Sequence, residues 1–140
     1  MKIVIDTNVL VAATRSRQGS SFELLSLLPD PRFQIALSVA LYTEWQDVMS
    51  RTEHLPPGMQ SEDARGFLRY LASIAHLQDV YYLWRPFLRD PDDDMVLECA
   101  VASGCRYLVT HNLRDFRKIT QLGVEPLTPA EFLARLRSTP

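Results

Sequence analysis

Asp6 closes a run of β-branched residues, Ile3-Val4-Ile5, and is followed at once by Thr7 and Asn8. The carboxyl end of a strand is where an open α/β sheet gathers its reactive groups. Asp6 has two readings there, a cap for the next helix or a ligand in a site, and the Asp-Thr-Asn triplet suits both. Glu44 lies at the margin of the helical stripe formed by Leu41, Trp45 and Val48. An ionised carboxylate so placed is partly desolvated unless the helix turns it to water or a cation compensates it.

The densest acidic run covers residues 89–94, Arg-Asp-Pro-Asp-Asp-Asp. Much of it has an ordinary explanation: Asp90 can cap a helix, Pro91 suits the first helical position, and Asp92 and Asp93 favour the positive end of the helix dipole. Asp94 is expected to differ, because it shares a face with Leu97 and Val101 and so points toward the sheet. Glu98, one turn further, reads as a helix-surface residue or as a supporting acid. A fourth place follows the strand-like run ending at Thr110, where His111, Asn112 and Asp115 occupy a loop or helix start. Asn112 and Asp115 can each ligate a metal through oxygen or cap the short helix that follows. His111 has no second histidine at metal-ligand spacing and reads as a polar contact.

Carboxylates drawn together from distant segments repel one another and raise one another's pKa values unless protons or a divalent cation are bound. An all-oxygen donor set selects Mg2+ or Mn2+ over zinc. Asp6, Glu44 and Asp94, with Asn112 or Asp115, are the candidate oxygen donors for such an ion.

The elements that must position these groups alternate in kind. Residues 2–6, 33–37, 80–83, 107–110 and 124–126 read as strands. One amphipathic helix follows Ser38, its cap. A second covers about 61–76, where Phe67, Leu68, Leu71, Ile74 and Ala75 recur at helical spacing, and a third covers about 92–103 with Gly104 as its stop. A last helix begins near Pro129, and Pro56-Pro57-Gly58 reads as a connector. Such alternation needs crossover connections, hence a mainly parallel, five-stranded sheet in a three-layer α/β/α domain over residues 1–140.

The net charge of −2 argues against a globally basic nucleic-acid binder. Two local basic groups remain as candidate RNA contacts or ordinary surface charge: Arg15 and Arg17, and Arg114, Arg117 and Lys118. Cys99 and Cys105 lack metal-ligand or redox spacing and read as structural thiols. With neither a membrane-length apolar run nor a signal peptide, the expected setting is the cytoplasm.

Taken in order, Asp6-Thr7-Asn8, Ser38 with Glu44, Asp94 on a helix, and Val109-Thr110-x-Asn112 resemble the motifs of PIN-domain ribonucleases over nearly the whole chain. The likeness is strongest to the small prokaryotic branch related to VapC toxins, in which an Arg-Asp-Pro-x-Asp-Asp segment precedes the third acid. The resemblance implies that Asp6, Glu44 and Asp94 are core acids and that Thr7, Asn8, Ser38 and Thr110 order them. It also implies a metal-dependent RNA hydrolase, a homodimer or higher homo-oligomer, and a cognate antitoxin whose segment occupies the acidic groove. Asn112 stands where nuclease members usually carry Asp, losing one negative charge, and Asp115 can compensate. That departure supports a competing reading, a catalytically weak module that binds RNA or protein. A receiver or phosphatase-type domain using Asp6 as phosphoacceptor is disfavoured, because Asp-Thr-Asn lacks the second aspartate.

Overall fold

The computed structural model describes residues 1–81 and 87–138. Among these residues, five parallel strands form one sheet in the order β3-β2-β1-β4-β5: β1 Lys2–Ile5, β2 Gln34–Leu37, β3 His76–Leu77, β4 Tyr107–Val109 and β5 Glu125–Leu127. Ile3, Val4 and Ile5 are all fully buried. Successive strand residues face opposite sides, so a strand buried at every position has helices on both faces of its sheet. The same holds for Tyr107-Leu108-Val109 on β4.

Among the described residues, six α-helices flank the sheet: α1 Thr7–Arg15, α2 Ser20–Ser26, α3 Val39–Met49, α4 Ser61–Ile74, α5 Pro91–Ser103 and α6 Pro129–Arg137. A 3-10 helix, Leu113–Leu122, links β4 to β5. The helix signals expected from local chemistry are present. Ser38 Oγ accepts the Leu41 amide at 3.1 Å, Gly104 ends α5 at φ 67°, and Thr128 and Glu131 form a reciprocal capping box before α6. Phe132 of α6 packs edge-on against Phe33 and Tyr107, at 5.1 and 6.0 Å between ring centres, and pins that helix to the sheet. Cys99 and Cys105 are buried free thiols.

The third strand departs from expectation. Val80 and Tyr81 are in no strand, and Tyr82 and Leu83 lie outside the described residues. The strand is instead His76–Leu77, at the end of the stretch read as helix: α4 stops at Ile74, Ala75 turns extended, and Leu77 pairs with Leu37. The physical reason is the partner. The open edge of β2 offers ladder positions to whatever follows α4, and the Gln78 amide extends the pairing to the Leu37 carbonyl at 2.8 Å. Two residues carry no periodicity of their own, whereas Val80-Tyr81-Tyr82 has the β-prone composition that local reading favours.

The order β3-β2-β1-β4-β5 sets the place of the site. The chain winds outward from β1 to β2 and β3, then returns past β1 to β4, so the winding reverses between β1 and β4. Helices leave those two strands in opposite senses and open a crevice at their carboxyl ends. Asp6 and Thr110 are the first residues beyond them.

Candidate active site

Asp6 is held by its backbone and by its side chain. Its amide donates to the Val109 carbonyl at 2.9 Å, which extends the β1–β4 ladder by one step. Its buried carboxylate accepts the Thr110 hydroxyl on Oδ2 at 2.8 Å. Although Asp6 occupies the cap position of α1, its side chain makes no capping hydrogen bond. Burial raises its pKa first, the Thr110 hydroxyl and Thr7 backbone partly offset that, and the charges of Asp115 and Asp90 raise it further.

Thr110 ties the centre together. Besides donating to Asp6, its hydroxyl accepts the Asn8 side-chain amide at 3.3 Å and the Asn112 backbone amide at 3.0 Å, the full capacity of a hydroxyl. Asn8 in turn accepts the His111 amide on Oδ1 at 3.2 Å. The start of α1 and the loop after β4 are thus laced across the crevice.

Glu44 enters from α3. The Ser38 cap sets the phase of that helix, and Glu44 comes out half-buried between buried Leu41 and Trp45. Its Oε2 accepts the Thr7 hydroxyl at 2.6 Å. Burial raises the Glu44 pKa, the Thr7 hydroxyl lowers it, and repulsion from Asp92, Asp6 and Asp90 raises it again.

The acids of residues 90–94 stand in different environments. Asp90 caps α5, its Oδ1 accepting the Asp92 amide at 2.9 Å. Asp94 does point inward and is buried, but its Oδ1 accepts the Leu88 amide at 2.8 Å, and its Oδ2 has no hydrogen-bond partner among the described residues. It braces the approach to α5. Asp93 also lies in the field of Asp6: its carboxyl is pushed up to about 7 by burial first and then by the charges of Asp6, Asp90, Asp115 and Asp92. Inward from a helix lying on a sheet means into the core. A signal was present in the sequence: Val96, Leu97 and Ala100, three, four and seven residues beyond Asp93, are all buried, so Asp93 begins an apolar stripe. Glu98 is buried too, not a helix-surface residue.

Beyond β4, Asn112 is exposed at the cap position of the 3-10 helix, and its side chain makes no capping bond. Asp115, also exposed, acts electrostatically on both Asp6 and Asp93. His111 Nε2 lies 2.8 Å from the buried Ser21 hydroxyl, a polar contact as expected. The basic candidates form two separate groups. Arg114, Arg117 and Lys118 are exposed on the 3-10 helix that begins beside the crevice. Arg15 and Arg17 stand at and beyond the far end of α1, roughly 13 Å of helix away from Asp6. There Arg15 lies 3.5 Å from His54 Nδ1 and Arg17 lines an apolar groove.

Among the described residues, no three His, Cys, Asp or Glu side chains stand in a ready arrangement to hold a metal ion. The chemistry of the donor set nevertheless fits a hard cation. Asp6, Glu44 and Asp93 all offer oxygen, all have raised pKa values, and all are raised in part by other acids. Among the described residues, no helix is long and apolar enough to cross a membrane.

A family model described as a PIN domain matches residues 2–114. No curated protein matches the chain at a significant level. Among solved structures, the chain is similar to VapBC2 from Rickettsia felis bound to a DNA fragment from their promoter, with a TM-score of 0.63 and 21% identity over 91% of this chain and 99% of the other. It is similar to VapBC-1 from nontypeable Haemophilus influenzae, with a TM-score of 0.61 and 18% identity over 93% and 99% of the two chains. For FitAcB from Neisseria gonorrhoeae the TM-score is 0.57 and the identity 15%, over 91% and 98%. At these identities the likeness is one of fold.

Proposed function

Since the chain belongs to the PIN-domain family, we propose that it is a metal-dependent endoribonuclease that hydrolyses RNA phosphodiester bonds, and that it serves as the toxin of a toxin–antitoxin pair. The observation that carries this reading is that Asp6, Glu44 and Asp93, acids from three separate segments, each have a carboxyl raised first by burial and further by neighbouring acids, while the Thr110 and Thr7 hydroxyls donate to Asp6 and Glu44. Asp6, Glu44 and Asp93 would hold Mg2+ or Mn2+, with Asp115 the better completing ligand and exposed Asn112 a neutral second. When bound, such an ion supplies Lewis acidity toward water and toward the phosphate.

The chain's own residues do the rest. Thr110 and Thr7 orient one oxygen each of Asp6 and Glu44, Asn8 keeps the Thr110 hydroxyl in place, and Ser38 sets the phase of the helix bearing Glu44. No protein nucleophile is required. Asp94 is assigned to structure, holding the Leu88 amide.

The partner side of the proposal is a small antitoxin with a basic side chain reaching the acids. An apolar groove of about 640 Å³ between α1, α2 and α4, lined by Leu10, Phe22, Leu25, Met49, Phe67 and Leu68, has the chemistry that receives an amphipathic helix. The solved VapBC and FitAcB relatives support that direction. A homodimer in the cytoplasm completes the proposal.

The test is cleavage of single-stranded RNA with Mg2+ or Mn2+ by the wild type, Asp6→Ala and Asp93→Ala. Loss of cleavage in both variants is expected, and equal activity in all three refutes the assignment. Asn112 favours a second reading, a catalytically weak binding module. Calorimetry separates the two, since a degenerate site takes up no divalent ion near neutral pH.

A further inference from the structure

Ser21 is the second residue of α2, and its buried hydroxyl lies 2.8 Å from His111 Nε2, 90 residues further along the chain. Ser26, deeper in the same helix, returns its hydroxyl to the carbonyl four residues back, that of Phe22, as helical serines commonly do. The residue four back from Ser21 is Arg17, which precedes the helix. The Ser21 hydroxyl therefore has no such acceptor within α2, and it reaches across to the segment after β4 instead.

The two sides of this contact differ in how they are held. On α2, Leu24 is fully buried in the core and Glu23 accepts a hydrogen bond from Arg137 of α6 at 2.6 Å, so the helix is anchored. Beyond β4, His111 and Asn112 are both exposed, and packing does little to fix them. Their amides are tied into the cluster around Asp6: that of His111 donates to Asn8 Oδ1 at 3.2 Å, and that of Asn112 donates to the Thr110 hydroxyl at 3.0 Å. The His111 ring makes the tie that leaves the cluster, to a separate and firmly packed element. Asn8 joins the two ends, because its Nδ2 donates to the same Thr110 hydroxyl that donates to Asp6 Oδ2. A displacement of His111 is thus passed through Asn8 and Thr110 to a carboxylate oxygen of the acid centre.

We infer that Ser21 and His111 are positioning residues for the acid centre: their contact braces the segment after β4 against α2 and so fixes the direction in which Thr110 holds Asp6. The inference rests on the metal-dependent reading of that centre. Partners that orient a ligand set its affinity for the ion, and here the chain of partners runs from Thr110 and Asn8 out to a helix that carries none of the acids.

The experiment measures Mn2+ affinity by calorimetry, well below the melting temperature, for the full chain and for Ser21→Ala, His111→Asn and His111→Gln. A glutamine amide stands where Nε2 stood and offers both a donor and an acceptor, whereas an asparagine amide reaches only the place of Nδ1. Ser21→Ala and His111→Asn are each expected to weaken Mn2+ binding about tenfold, the low end for partners that orient ligands, and His111→Gln is expected to restore it. In the metal-free protein the His111 and Asn112 amides should exchange with solvent faster in Ser21→Ala than in the wild type. On RNA, Ser21→Ala should lower kcat at limiting Mn2+, recover it at saturating Mn2+ and leave KM unchanged. Should Ser21→Ala fold poorly, His111→Asn and His111→Gln test the same contact from its exposed side. Wild-type Mn2+ affinity in Ser21→Ala or His111→Asn overturns the positioning role and leaves the ribonuclease reading standing. Weakening in His111→Gln equal to that in His111→Asn also overturns it, since the contact at Nε2 is then not what matters. Absence of Mn2+ uptake by the wild type removes the metal-dependent reading and the positioning role together.

Discussion

The Thr110 hydroxyl donates to Asp6 Oδ2 at 2.8 Å across 104 residues of sequence. It is the shortest hydrogen bond linking the loop after β4 to the acid at the end of β1, and both partners are buried. With two amides donating to it as well, the hydroxyl has no spare capacity. Thr110→Val keeps the shape and removes all three bonds. It is expected to lower stability by about 1–3 kcal/mol, the usual consequence of stranding buried polar groups, and to weaken divalent-ion binding. Thr110→Ser should keep both near wild type. Chemical denaturation and Mn2+ titration of the two variants provide the check.

Asp93 and Asp94 are neighbours with opposite expected phenotypes. Asp93→Asn removes a carboxylate crowded by four others, so the metal-free protein should gain stability at neutral pH while RNA cleavage is lost. Asp94→Ala leaves the Leu88 amide without its acceptor and should cost about 1–3 kcal/mol, with Mn2+ affinity retained. Reversal of this pattern would return the metal-ligand role to Asp94.

Metal-free stability should fall as pH rises. The Asp93 carboxyl goes from 3.8 to about 7 on folding, so the folded chain holds a proton that the unfolded chain has lost between those values. Stability then decreases across that window and not below it. Asp6 and Glu44 shift in the same direction, whereas Asp30 and Glu125, lowered by hydrogen bonds from Arg32 and Arg135, lose stability only toward acid pH. Melting temperatures across the window in a chelator should decline, and saturating Mn2+ should flatten the decline. A rise toward neutral pH without metal would contradict the repulsion on which the site is built.

The two basic groups should separate in salt dependence. Replacing Arg114, Arg117 and Lys118 together with Ala is expected to weaken RNA binding and to reduce the slope of log affinity against log salt by roughly 2, at about 0.7 per phosphate contact on a single strand. Arg15→Ala with Arg17→Ala, at the far end of α1, should change the slope little. A slope reduced by the Arg15 and Arg17 changes and not by the other three would show that the strand runs along α1 instead of across the 3-10 helix.

Local chemistry alone carried the parallel α/β architecture, the acid at the end of β1, the Ser38 cap, the Gly104 stop and the last helix from Pro129. Each of these depends on a residue and its near neighbours, through apolar periodicity, capping or the conformational freedom of glycine, and so is written within a few positions of the chain. Glu44 was also legible, because a carboxylate at the margin of an apolar stripe must be half-buried whatever lies opposite. Tertiary structure settled the rest. His76–Leu77 is a strand only because β2 has an open edge to receive it. Asp93 is half-buried and raised by the charges of four acids brought near it, and a helical wheel shows which side of a helix is inward without showing which distant charges meet it there. Asp115 acts on Asp6 and Asp93 because β4 lies beside β1, an adjacency set by packing two distant segments of the chain together.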